Sequence, residues 1–134
     1  MRVVLDSNVI VAAYAAHGLC HSLFELCLAD HTVVVSQDIL DEVSDKLQNK
    51  IKIPSKIVKE ILVFLEKNAL FERPASLSPD SCRDPDDVRI LGLAVSARCE
   101  CLVSGDQDLL TLGSFQGVPI LSPRQFYDKL RQAS

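Results

Sequence analysis

The amino-acid sequence predicts an α/β fold: a three-layer α/β/α arrangement with a mostly parallel central sheet, in a single domain over 1–134. Three observations predict it. Short runs of strand-forming residues, Val3–Leu5, Thr32–Val35, Cys101–Val103 and Val118–Leu121, alternate with amphipathic helical stretches. The first run is apolar without alternation, as in a parallel strand covered on both faces. The chain has 134 residues, 48% hydrophobic and 24% charged, which is enough for a real core and excludes disorder.

The elements follow in order. Val3–Leu5 ends in the small polar residues Asp6, Ser7 and Asn8, which read as a turn at the carboxyl end of a strand. Val9 to Ala16 is Ala-rich and predicts a short helix ended by Gly18. Ser22 to Ala29 predicts a second helix, with Leu23, Phe24, Cys27 and Leu28 as its apolar stripe. Ser36 stands at an N-cap position, and Asp38 lies where the helix dipole favours an acid. The helix Gln37 to Gln48 turns Ile39, Leu40, Val43 and Leu47 inward, and Glu42 borders that stripe. Pro54 and Ser55 open a helix to about Asn68, with Ile57, Ile61, Phe64 and Leu65 as its expected core face. Lys50, Lys52, Lys56 and Lys59 cluster at its start.

Leu70 to Arg73 reads as a short strand and Pro74 to Cys82 as loop. Asp84 before Pro85 is a strong helix start. Asp87 lies three residues on, in the first turn, and Gly92 with Ala94 predicts close packing of that helix. Ser104-Gly105-Asp106 leaves the strand Cys101–Val103. Asp108 then begins a short helical turn, Leu109 to Leu112. After Val118–Leu121, Ser122 and Pro123 open a last helix with Phe126, Tyr127 and Leu130 inward.

Composition narrows the function. A net charge of -4 gives no global basic field of the kind that dominates non-specific nucleic-acid binding. The five cysteines are odd in number and form no C-x-x-C, which argues against a disulfide framework or zinc knuckle. They read as buried small hydrophobes in a reducing, cytoplasmic setting. His17 and His21 have Gly18 between them and no acid completing H-E-x-x-H, which argues against a metal role. Arg2 to Ala16 has signal-peptide spacing, but Asp6 and Asn8 interrupt its apolar centre. No run approaches a membrane span.

The acids carry the chemistry. Asp6 and Asp106 each follow an apolar strand, so in a parallel sheet both reach one edge, where ligands bind such folds. Asp87 opens a helix, and Glu42 sits on the core edge of another. Each alone has a local explanation: a cap, a boundary residue, a turn. Together they would repel, and their pKa values would rise unless a cation intervened. Hard oxygen donors without Cys or His suit Mg²⁺ or Mn²⁺. Such a site can hydrolyse a phosphodiester through metal-activated water. Ser7, Asn8 and Ser104 offer neutral groups beside the acids.

LDSN, SQDILDEVSDKL, DPDDVRILGLAVSA and LVSGDQDLL, in this order, resemble the PIN domain, with the nearest likeness to the VapC-like ribonucleases, toxins of prokaryotic toxin–antitoxin pairs. The resemblance covers nearly the whole chain. It implies a PIN-like fold and a Mg²⁺- or Mn²⁺-dependent endoribonuclease. It implies that Asp6, Glu42, Asp87 and Asp106 are the catalytic, metal-binding acids, supported by Ser7 and Ser104. Asp84, Asp86 and Asp108 are further candidates at the third and fourth positions. An RNA substrate, a separately encoded antitoxin and a homodimer are the implied partners. Two other readings stand beside it. One is a catalytically inactive module of the same fold that binds RNA or protein. The other is a phosphoacceptor or phosphatase using Asp6, against which the turns Ser104-Gly105-Asp106 and Ser122-Pro123-Arg124 supply no lysine.

Overall fold

Val3, Val4 and Leu5 are fully buried in the central strand of the computed structural model, which describes residues 1–132. The last two residues of the predicted range 1–134 lie outside the described residues. The strands are β1 (Arg2–Leu5), β2 (Thr32–Val35), β3 (Leu70–Phe71), β4 (Cys101–Val103), β5 (Ser114–Phe115) and β6 (Val118–Leu121). The helices are α1 (Ser7–Ala15), α2 (Leu19–Asp30), α3 (Gln37–Asn49), α4 (Ser55–Asn68), α5 (Pro85–Ser96), α6 (Gln107–Leu112) and α7 (Pro123–Gln132). The sheet order is β3-β2-β1-β4-β6-β5, parallel throughout except for the antiparallel β5–β6 pair. Helices flank this sheet in the expected three-layer α/β/α architecture.

Register places the site. Leu5 pairs with Val103, and Val103 with Leu121, so β1, β4 and β6 end level at their carboxyl edge. From β1 the chain moves outward to β2 and β3, then returns to β4 on the other side. The gap beyond β1 and β4 is therefore the topological switch point, where open α/β sheets form their crevice.

Local chemistry accounts for most element boundaries. Ser36 is buried at the N-cap of α3, and its hydroxyl accepts the Ile39 N–H at 3.3 Å. Ser36→Ala is expected to cost about 1 kcal/mol by orphaning that donor, a fall of roughly 3–5 °C in Tm for a domain of this size. A melting curve indistinguishable from that of the parent would show that the cap contributes nothing. Asp84 caps α5 with Pro85 in the first turn, its carboxylate accepting the Asp86 N–H at 2.9 Å.

Several expectations are revised. The segment Asp6-Ser7-Asn8 is not a free turn, because α1 already begins at Ser7. Helix α2 starts at Leu19, three residues before the expected Ser22. On α4 the buried residues are Val58 and Leu65, while Ile57 and Phe64 are 43% and 44% exposed. The apolar positions of α4 form two overlapping stripes, and packing on α3 selects the one through Val58. Helix α6 begins at Gln107, capped by Asp106, not at Leu109. The hairpin β5–β6 was not expected; Gln116 and Gly117 turn it with φ of 47° and 84°. All five cysteines are free, and four are buried, Cys20 being only partly so. Burial pushes the Cys27 thiol up to about 12. Among the described residues no single helix is long and apolar enough to cross a membrane.

Candidate functional site

The Asp6 N–H donates to the Val103 carbonyl at 2.9 Å, which carries the β1–β4 ladder one residue past the strands. Asp6 occupies the N-cap position of α1, yet its side chain makes no capping hydrogen bond. The local explanation for a lone Asp therefore fails here. Its carboxylate turns instead to Ser104, whose hydroxyl donates to Asp6 Oδ2 at 2.7 Å. The same Ser104 oxygen accepts the Asp106 N–H at 3.0 Å. Ser104 is fully buried, and this bridge ties the end of β1 to the turn after β4.

A second link reaches α3. The buried Ser7 hydroxyl donates to Glu42 Oε2 at 2.6 Å. Asp6 Oδ1 lies 3.4 Å from the same hydroxyl, whose single proton goes to the nearer glutamate. Lys46, one helical turn beyond Glu42, donates to Asn8 Oδ1 at 2.8 Å. Its ammonium is 3.6 Å from Glu42 Oε2.

On the other side of the crevice Asp87 is 7% exposed in the first turn of α5. It meets Asp106 and Asp108, one carboxylate oxygen of each lying within 4.8 Å of the others. Asp106 also caps α6 through the Asp108 N–H at 2.8 Å. Asp84 spends its carboxylate on capping α5. Asp86 is exposed and pairs with Arg89, which also reaches Asp38 at 3.8 Å. Thus Asp6, Ser7, Glu42 and Asp87 line one crevice, with Asp38, Asp86 and Arg89 around it. Asp106 and Asp108 adjoin it through Asp87.

Electrostatics follow this layout. Burial raises the Asp6 pKa, and Glu42 adds to the rise, while the Ser104 hydrogen bond and Lys46 oppose it. Asp87 is pushed up to about 7, first by burial and then by Asp106, Asp84, Asp6 and Asp108. Its buried neighbour Cys82 offers only a thiol, at 4.0 Å. The charge gathered around Asp87 is of the kind a hard dication relieves. Asp87, Asp106 and Asp108 offer only oxygen. With bonds of ~2.1 Å, octahedral Mg²⁺ holds adjacent oxygens ~3.0 Å and opposite ones ~4.2 Å apart, so this trio would close inward around one ion.

Sequence reasoning named Asp6, Glu42, Asp87 and Asp106, and the structure brings all four to the sheet edge. It ranked Asp108 as a lesser candidate, and the structure sets that residue directly against Asp87 and Asp106. Lys46 and Arg89 were missed. The signal for Lys46 was present: it lies four residues after Glu42, the spacing that makes helical neighbours.

The site can be compared with known proteins. Among curated proteins, none matches this sequence. Similar solved structures include VapBC2 from Rickettsia felis bound to a DNA fragment from its promoter, at TM-score 0.65 and 13% identity, covering 91% of this chain and 98% of that one. VapC20 from Mycobacterium tuberculosis, a toxin that cleaves the sarcin–ricin loop, aligns at TM-score 0.59 and 13% identity over 87% of this chain and 98% of that one. The PIN domain endonuclease Utp24 aligns at TM-score 0.51 and 22% identity over 90% and 84%. At these identities the likeness is one of fold. The PIN domain family model matches residues 2–108, from the first strand through the last acid of the cluster, and the chain therefore belongs to the PIN domain family.

Proposed function

We propose that this chain is a divalent-metal-dependent endoribonuclease, the toxin of a toxin–antitoxin pair. The observation that supports the reading is that Asp6, Glu42 and Asp87 line one crevice at the switch point of a PIN-domain sheet, with Asp106 against Asp87. Similar folds in a sarcin–ricin loop-cleaving toxin and an endonuclease support it.

In this reading Asp87, Asp106 and Asp108 hold the Mg²⁺ or Mn²⁺, with Asp6 and Glu42 completing the anionic wall. An ion held there would supply a Lewis acid for the phosphodiester and an acidified water as attacking group. Ser104 holds Asp6 in place, and Ser7 holds Glu42. Asp6, whose pKa burial raises, takes up a proton more readily than a free aspartate. No residue of the cluster needs to act as a covalent nucleophile. Ile57, Val63 and Phe64 expose apolar surface on α4, which supports a protein partner, either the antitoxin or a second copy. Free cysteines throughout fit a cytoplasmic setting.

The test is cleavage of single-stranded and structured RNA by purified chain. Cleavage is expected with Mg²⁺ or Mn²⁺, to stop with EDTA and to return with excess metal. Retention of RNA without cleavage under any metal would favour the binding module, to which the exposed apolar face of α4 would add a surface for a protein partner.

A further inference from the structure

Charge is divided unevenly across the crevice. On the α1–α3 side the Lys46 ammonium lies 2.8 Å from Asn8 Oδ1, 3.4 Å from Ser7 Oγ and 3.6 Å from Glu42 Oε2. Its side chain is only 28% exposed, held by acceptors from two helices. On the α5–α6 side Asp87, Asp106 and Asp108 crowd together, and the nearby Arg83, 3.8 Å from Asp108, is 88% exposed. One half of the site thus carries a largely buried cation, whereas the cations of the other, Arg83 and Arg89, are 88% and 55% exposed, and Arg89 is paired with Asp86 and Asp38.

A dication bound to Glu42 would sit ~2.1 Å from a carboxylate oxygen. Glu42 Oε2 already accepts the Ser7 hydroxyl at 2.6 Å and faces the ammonium. A metal on Oε2 would have to compete with the first, and on either oxygen it would be repelled by the second. Paired-metal phosphodiesterases place their ions ~3.5–4 Å apart and share carboxylates between them. Resting on the nuclease reading above, we infer that the Lys46 ammonium supplies at Glu42 the counter-charge that a second metal ion would otherwise supply. The chain binds one divalent ion, on the Asp87–Asp106–Asp108 side, and Glu42 serves as a lysine-paired carboxylate. Lys46 acts through Glu42, Ser7 and Asn8 and is a positioning residue.

The experiment is a Mn²⁺ titration of the full chain, read by calorimetry and by the EPR signal of free Mn²⁺. The parent chain is expected to bind one Mn²⁺. Lys46→Met, which keeps the stem and removes the charge, is expected to bind a second, weaker Mn²⁺, and Lys46→Arg to return the count to one. Two Mn²⁺ on the parent chain, or one on a folded Lys46→Met, would overturn the inference and leave the nuclease reading standing. No Mn²⁺ on the parent chain would remove both. Circular dichroism checks the folding of each variant, and the count on the parent chain decides without them.

Discussion

Asp87→Asn is expected to lower the proposed metal-dependent RNA cleavage by about 10³-fold or more, roughly 4 kcal/mol of transition-state stabilisation, and to make the metal-free chain more stable at pH 8. Both effects come from one placement. Asp87 is buried beside other acids, and its carboxyl titrates at about 7 in the folded chain. In the unfolded chain it titrates near ~3.9. Between these values the folded state holds a proton that the unfolded state has released. Stability therefore falls as pH rises through this window, and the penalty is complete above pH 7. Its size is on the order of a few kcal/mol. Asn fills the same space without ionising, so that slope disappears. A bound dication relieves the same repulsion, so added Mg²⁺ should stabilise the parent chain more at pH 8 than at pH 5. Urea midpoints at both pH values, with and without Mg²⁺, read this out. An Asn variant that cleaves normally, or that is less stable than the parent at pH 8 without metal, would reject the role assigned to Asp87.

Gly92→Ala is expected to destabilise the fold by about 2–4 kcal/mol, although alanine is the better helix former by ~1 kcal/mol. A Cβ at Gly92 would lie 2.3 Å from the Ala75 carbonyl oxygen and 3.4 Å from the Ala75 carbonyl carbon and nitrogen. Backbone cannot rotate out of the way as a side chain can. The contact is fastened on both sides: the Ala75 N–H donates to the Gly92 carbonyl at 3.0 Å, and Ser96 donates to the Arg73 carbonyl at 2.7 Å. Opening it forfeits a buried hydrogen bond as well as packing. The close approach expected of Gly92 is thus made to the irregular segment after β3, not to another helix. Because α5 also carries Asp87, weaker Mn²⁺ binding should accompany the fall of roughly 10 °C in Tm. An unchanged Tm would show that the Arg73–Ala75 segment yields freely.

How far this molecule can be understood from its sequence depends on the range of the forces involved. Strand β2 and the N-caps Ser36 and Asp84 were legible because neighbours along the chain decide them. The buried face of α4 was not, because the amphipathic pattern allows two stripes and only the neighbouring helix chooses between them. The hairpin partner β5 escaped notice because Ser114–Phe115 is two residues long with a single apolar side chain, too little pattern to register.

The sequence by itself determined the alternation of strands and helices and the order in which Asp6, Glu42, Asp87 and Asp106 occur. Apolar periodicity and capping act within a few residues, so they are written locally. Only the tertiary structure decided that Asp6 does not cap its helix, that Asp108 stands with Asp87 and Asp106, and that Lys46 lies against Glu42 and Asn8. Those outcomes depend on strand register and helix rotation. Both are settled by burial across the whole fold, between side chains as far apart in the chain as Asp6 and Ser104.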